Sequence, residues 1–178
     1  MKIFLIGFMG SGKTHWGRKL SAKLKLPFFD LDSVIVEKEG RSVAAIFTDK
    51  GEEYFRFREN ELLEALTAEQ ESFILSCGGG TPCFFNNIEF MKKHGKVVWL
   101  NTGVDTLMER LGKEKSSRPL LADVAEGDLR RHIILKLSQR RMYYQQADVV
   151  VSEESTSLEE LIRLLLQNQQ PDRMREDL

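Results

Sequence analysis

The segment Gly7-Phe8-Met9-Gly10-Ser11-Gly12-Lys13-Thr14 restricts the possible folds more than any other stretch of the chain. It matches G-x-x-x-x-G-K-[ST], follows the short apolar run 3–6, and opens a helical pattern that continues through Leu20 to about residue 25. Accident would produce such a match roughly once in two hundred chains of this length, and the flanking strand and helix make it rarer. Glycines let successive backbone N–H groups converge on phosphate oxygens, and the helix amino end adds partial positive charge. Lys13 is suited to follow the terminal phosphates through transfer, and the Thr14 hydroxyl is suited to Mg2+. Gly10, Ser11, Gly12, Lys13 and Thr14 are therefore nucleotide-binding candidates, with Lys13 also catalytic and Thr14 also a metal ligand. His15 and Trp16, one turn further on, read as surface and packing residues.

Four more short apolar runs follow, at about 27–31, 73–77, 97–100 and 147–151. Helical patterns separate them: a polar one at about 33–38, a break at Gly40, a short one at 42–47, and an amphipathic one at 52–68 carrying Phe55, Leu62, Leu63 and Leu66. Further helices are expected at 87–94, 104–111, 129–144 and 157–166, the last with Ser157 and Glu160 at capping-box spacing. Five strands alternating with helices predict an α/β fold, a parallel sheet covered on both faces in three α/β/α layers. Ligands then belong where strand carboxyl ends meet helix amino ends.

With 178 residues, one domain is expected over about 1–170, followed by a polar tail at 171–178. Lys and Arg number 26 against 27 Asp and Glu, so no global field draws the chain to nucleic acid or to an anionic membrane. An anionic ligand must then be held by a local cluster. Cys77 and Cys83 form neither a disulfide framework nor a metal-binding spacing, which suggests a reducing, cytoplasmic setting. No apolar run approaches the length of a membrane span. The stretch 112–125, rich in Lys and Ser with one Pro, reads as a flap rather than as core.

Several residues point to an acceptor pocket. Asp30 and Asp32, one residue apart at the end of the second strand, would face the same side if the backbone stays extended there. The other reading is a cap on the next helix. Gly78-Gly79-Gly80 directly after a buried strand signals close approach of backbone to a ligand. Arg56, Arg118 and Arg140 could supply planar forks for a carboxylate. The guanine-specifying N-K-x-D and the switch motif D-x-x-G are both absent, which argues against a GTPase switch. A small-molecule kinase fits better than an ATP-driven machine.

Taken in order, the phosphate loop, Asp30-x-Asp32, GE..FR..E at 51–59, the triple glycine, RPLL at 118–121 and R-x-x-x-Y-x-x-A at 140–147 resemble the bacterial shikimate kinases from residue 1 to about 166. The resemblance implies a P-loop fold with strand order 2-3-1-4-5, a substrate subdomain at about 33–60 and a lid at about 112–125. It implies phosphorylation of the 3-hydroxyl of shikimate by ATP with Mg2+, on the route to chorismate and the aromatic amino acids, by a monomer. Asp32 would meet the shikimate hydroxyls as base or positioning group, and Asp30 would support Mg2+ through water. Arg56 and Arg140 would hold the carboxylate, Gly79 would contact the substrate by its backbone, Arg118 would reach the transferring phosphate, and Arg110 would lie against adenine. Met142 stands where many relatives have Pro, so the choice between Arg140 and Arg141 rests on the distance to Tyr144 and Ala147. Gluconate-type or nucleoside monophosphate kinases, or a non-catalytic nucleotide-binding regulator, are the alternatives.

Overall fold

The computed structural model describes residues 1–114, 121, 124–152 and 155–167. Five strands, β1 (Lys2–Ile6), β2 (Phe28–Asp30), β3 (Phe73–Ser76), β4 (Lys96–Leu100) and β5 (Val149–Val151), form one sheet in the order β2-β3-β1-β4-β5. Every adjacent pair is parallel, with Phe4 opposite Leu75 and Val97, and Phe29 opposite Leu75. Among the described residues the α-helices are α1 (Lys13–Leu24), α2 (Leu31–Glu39), α3 (Val43–Glu69), α4 (Asn87–His94), α5 (Val104–Glu114), α6 (Leu129–Tyr144) and α7 (Leu158–Gln167). Parallel strands need crossovers, and helices supply them on both faces.

Alternation along β1 sorts the core. Ile3 and Leu5 pack with Ile74, Val98, Leu100, Val149 and Val151 against Trp16 and Leu20 of α1 and Leu161 and Leu165 of α7. Phe4 and Ile6 face the other way, joining Phe73, Leu75, Val97 and Trp99 under side chains of α2, α3, α4 and Tyr144. A third cluster, Phe8, Leu107, Leu111, Leu121, Leu129 and Ile133, ties α5 and α6 to the start of the phosphate loop. Ser157 accepts from the Glu160 N–H at 3.1 Å, so the expected cap on α7 forms.

Three boundaries differ from expectation. The helical patterns 42–47 and 52–68 join into α3, which bends at Gly51 (φ 80°, ψ 174°), a conformation open to glycine. β5 starts at Val149 because Asp148 accepts from the Val97 N–H at 2.8 Å while its own N–H donates to the Val97 carbonyl at 2.9 Å. β2 ends at Asp30, and Leu31 already belongs to α2. Among the described residues no helix is long and apolar enough to cross a membrane.

Candidate active site

The sheet reverses its winding at β1, so the carboxyl ends of β1, β3 and β2 lie side by side, and each is followed by one of the segments singled out above. A cleft of about 320 Å³ opens there, lined among others by Gly10, Lys13, Thr14, Asp30, Asp32, Gly79 and Arg110.

The phosphate loop forms its floor. Gly12, at φ 84°, turns the chain into α1, whose first residue is Lys13. The Lys13 ammonium donates to the carbonyls of Gly7 and Phe8, each at 2.9 Å, which holds it inside the loop. Ser11 is fully buried, and its hydroxyl has no hydrogen-bond partner among the described residues. Arg110 of α5 reaches the rim and donates to the Gly10 carbonyl at 3.1 Å. The structure thus brings Lys13, Thr14, Gly10, Gly12 and Arg110 together, with Ser11 just beneath them.

Asp30 and Asp32 depart from the extended arrangement. Asp30 is the N-cap of α2, accepting from the Ser33 N–H at 3.3 Å through one oxygen, while the other accepts from the Thr14 hydroxyl at 2.8 Å. The capping reading of Asp30 therefore holds. Asp32 lies in the first helical turn and not in a strand; what brings both carboxylates to the cleft is a helical turn instead of strand alternation. A hydroxyl and a carboxylate already in contact are hard oxygen donors suited to Mg2+, which ordinarily takes one or two protein ligands and fills the rest with phosphate and water. Among the described residues there is no cluster of three or more His, Cys, Asp or Glu able to hold a metal alone.

Crowding by the protein raises the Asp32 carboxyl to about 6 from an ordinary 3.8, with the charges of Glu59 and Asp30 adding and those of Lys13 and Arg56 opposing. The side chain nevertheless keeps contact with solvent, since it stands in an open cleft. Concave walls explain both facts: water touches the carboxylate but cannot surround it, so the charged form is disfavoured while screening limits the energetic weight of that effect.

The triple glycine is explained by close approach. A Cβ on Gly80 would fall 2.7 Å from the Cζ of Arg56, and one on Gly79 would fall 3.3 Å from the Nη1 of Arg140 and 3.2 Å from the Met9 nitrogen. On Gly78 it would collide with a carboxylate oxygen of Glu59. Two buried guanidiniums are thereby brought against one glycine run, although neither lines the cleft wall itself. Arg56 is held by two carboxylates of its own helix: its Nη1 meets Glu59 at 2.5 Å, and its Nε and Nη2 share one Glu52 oxygen at 3.1 and 3.0 Å, which leaves one N–H on each terminal nitrogen. Arg140 differs, for its Nη1 is buried without a hydrogen-bond partner among the described residues. Its neighbour Arg141 is exposed, which separates the two candidates. Arg118 lies outside the described residues, as do 115–120 and 122–123 of the expected lid and all of the 171–178 tail.

Three groups escaped the residue-by-residue reading. Glu59, almost fully buried, accepts from Arg56 and from the Thr81 hydroxyl at 2.6 Å; its place three residues after Arg56 on one helix was the available signal. Tyr144, serving in the sequence only as a spacing mark, donates to the Gly79 carbonyl at 2.5 Å. Phe84 lies over the Arg56 guanidinium at 4.8 Å, and no pattern announced it. Cys77 is buried beside Met91, its thiol pushed far up by burial, and burial also pushes Cys83 up to about 11; neither is primed as a nucleophile.

The shikimate kinase family model matches residues 9–170, most of the chain. The chain belongs to the shikimate kinase family. It is 42% identical over 150 residues to the shikimate kinase of Bacteroides thetaiotaomicron, covering 84% of this chain and 85% of that protein. Identity to the shikimate kinase of Azobacteroides pseudotrichonymphae is 38% over 165 residues, 93% of this chain and 97% of that one. In three dimensions the chain is similar to the crystal structure of the Bacteroides thetaiotaomicron shikimate kinase, with TM-score 0.81 and 37% identity, covering 95% of this chain and 96% of that one. It is also similar to the shikimate kinase of Acinetobacter baumannii in complex with shikimate, with TM-score 0.85 and 33% identity over 96% and 95% of the two chains. The sheet order expected for the family is the one observed.

Proposed function

We propose that this chain transfers the terminal phosphoryl group of ATP to the 3-hydroxyl of shikimate, giving ADP and shikimate 3-phosphate, with Mg2+ held by Thr14 and, through water, Asp30. ATP-dependent phosphorylation of shikimate goes with the family; the hydroxyl attacked and the part each residue plays are our reading. The observation that carries the acceptor assignment is Arg140 Nη1, a buried cationic donor left without a partner beside the triple glycine. A buried donor of this kind calls for an acceptor, and a substrate carboxylate supplies one.

Phosphoryl transfer depends on positioning and electrostatics more than on covalent chemistry by the protein. Loop N–H groups and Lys13 would hold the phosphates, with Lys13 leaving its carbonyl partners for oxygens of higher charge. Mg2+, when bound, would offset the charge that develops on the phosphate oxygens. Asp32 would orient the acceptor hydroxyl and receive or share its proton. Arg110 would border the nucleotide, and Arg118, with the 112–125 segment as lid over the 33–60 acceptor side, would add positive charge at the transferring group.

A coupled assay of ADP release tests the reading. Mg-ATP should turn over only when shikimate is added, with little turnover on gluconate, AMP or cytidylate. Absence of stimulation by shikimate would sink it.

A further inference from the structure

The turn that follows the triple glycine has an unusual build for a connection between β3 and α4. A short 3-10 helix (Thr81–Cys83) leads into Phe84, and then Phe85 and Asn86 both adopt left-handed backbone, φ 49° and 58°. Asparagine tolerates that region; a bulky aromatic rarely visits it. The conformation persists because both ends of the turn are stapled. The Thr81 hydroxyl donates to buried Glu59 at 2.6 Å, and the Asn87 amide donates to the Thr81 carbonyl at 2.9 Å while its oxygen accepts from Asn60 at 2.9 Å. The turn presents Phe84 and Phe85 to solvent, 38% and 53% exposed, beside Phe57 of α3 at 48%, with Phe57 and Phe85 edge to face at 6.4 Å. Strain of this kind, with the ring left half in water, is characteristic of a site and is not what packing alone would select.

Phe84 has an identifiable partner. Its ring covers the Arg56 guanidinium at 4.8 Å, with Phe55 a second ring at 5.4 Å. A guanidinium has five N–H donors in one plane. Glu52 takes two and Glu59 one, so two remain, one on each terminal nitrogen. A ring stacked on the cation fixes the plane in which those two N–H groups point and keeps water off the covered face.

We infer that Phe84, set by the strained Phe85-Asn86 turn, is a positioning residue for the acceptor: it fixes the plane of Arg56 and dries the contact between that guanidinium and the substrate carboxylate. The inference deepens the proposed function and rests on it for the identity of the carboxylate.

The experiment compares the wild type with Phe84→Ala, Phe84→Leu and Phe84→Tyr, measuring kcat and both KM values at low and high salt. Phe84→Ala should raise the shikimate KM about three- to tenfold, the range expected for a partly exposed cation–π contact plus lost shielding, with kcat and the ATP KM changed less than about twofold. Its shikimate KM should also climb more steeply with salt, because an uncovered guanidinium is screened more readily. Phe84→Leu, which keeps apolar bulk without a π face and guards against a packing artefact, should remain weak, and Phe84→Tyr should recover. An unchanged shikimate KM in Phe84→Ala, an equal rise in both KM values, or full recovery by Leu overturns the inference. A wild type that does not turn over shikimate defeats the acceptor reading itself, and the two failures are thereby distinguished.

Discussion

Replacing Asp32 by Asn should slow the enzyme and stabilise the protein, because one set of surroundings produces both effects. Protein crowding and the charges of Glu59 and Asp30 raise the carboxyl from 3.8 to about 6. The folded protein then holds this proton more tightly than the unfolded chain does. Between about pH 4 and pH 6 the native state binds more protons than the unfolded state, so stability falls as pH rises through that window and is flat in this term above it. Raising the carboxyl from 3.8 to about 6 corresponds to ~3 kcal/mol if none of it is screened. Water reaches Asp32 in the cleft, which screens the effect down to about 1 to 2 kcal/mol. Asn removes the charge at nearly constant size and should be more stable than the wild type by that amount at pH 8, the gain shrinking as pH falls toward 4.

Urea unfolding of both proteins at pH 8, 6 and 4.5, without Mg2+ or nucleotide, reads the difference directly. Contributions from other titrating groups cancel between the two chains. In the same pair, kcat should fall by about 10² or more in D32N with Mg-ATP binding retained, and wild-type kcat/KM should drop as pH is lowered through about 6. A variant that is less stable by the same amount at every pH would refute the electrostatic argument. Near-normal kcat would move the acceptor-side carboxylate elsewhere, and loss of Mg-ATP affinity along with turnover would assign Asp32 to the metal.

Arg140→Ala should weaken shikimate binding with a smaller loss of stability than Arg56→Ala, since it strands no buried carboxylate; Arg56→Ala should do both, because it strands buried Glu59 at a cost of about 3 to 5 kcal/mol. Titration calorimetry and thermal melts of the two variants separate these outcomes, and equal destabilisation would contradict the assignment. Tyr144→Phe deletes the donor to the Gly79 carbonyl and should raise the shikimate KM while leaving the ATP KM alone, the structural cost being about 1 to 3 kcal/mol; an ATP-side defect in steady-state kinetics would count against it. Cys77→Ser with Cys83→Ser should keep substantial activity, with most of any stability loss arising at Cys77, where a buried hydroxyl replaces a thiol packed on Met91. Abolished activity in a folded double variant would overturn the passive reading of both thiols.

What could be read in the chain, and what could not, divides by distance along it. The phosphate loop, the five strands and the apolar side of α3 depend on local spacing, and a periodic pattern records local spacing faithfully. The β2 to α2 junction failed because Leu31 is apolar in either reading: the run from Phe28 looks like one strand, and only the Asp30 oxygen bound to the Ser33 N–H shows that a helix has begun. That bond relocates Asp32 from a strand end to a helical turn without removing it from the cleft. Glu59, Tyr144 and Phe84 were harder, since each acts on a group from another segment, through Thr81, Gly79 and, for Phe84, Arg56. The order β2-β3-β1 is what sets those segments side by side, and no single segment encodes it. A further consequence concerns mutagenesis at the acceptor end. Its polar side chains hold one another, Arg56 to Glu59 and Glu59 to Thr81, so truncating a member of that chain mixes binding with folding. Arg140 and Phe84, whose side chains stand outside that chain of hydrogen bonds, are the positions where a binding effect can be measured without stranding a buried carboxylate.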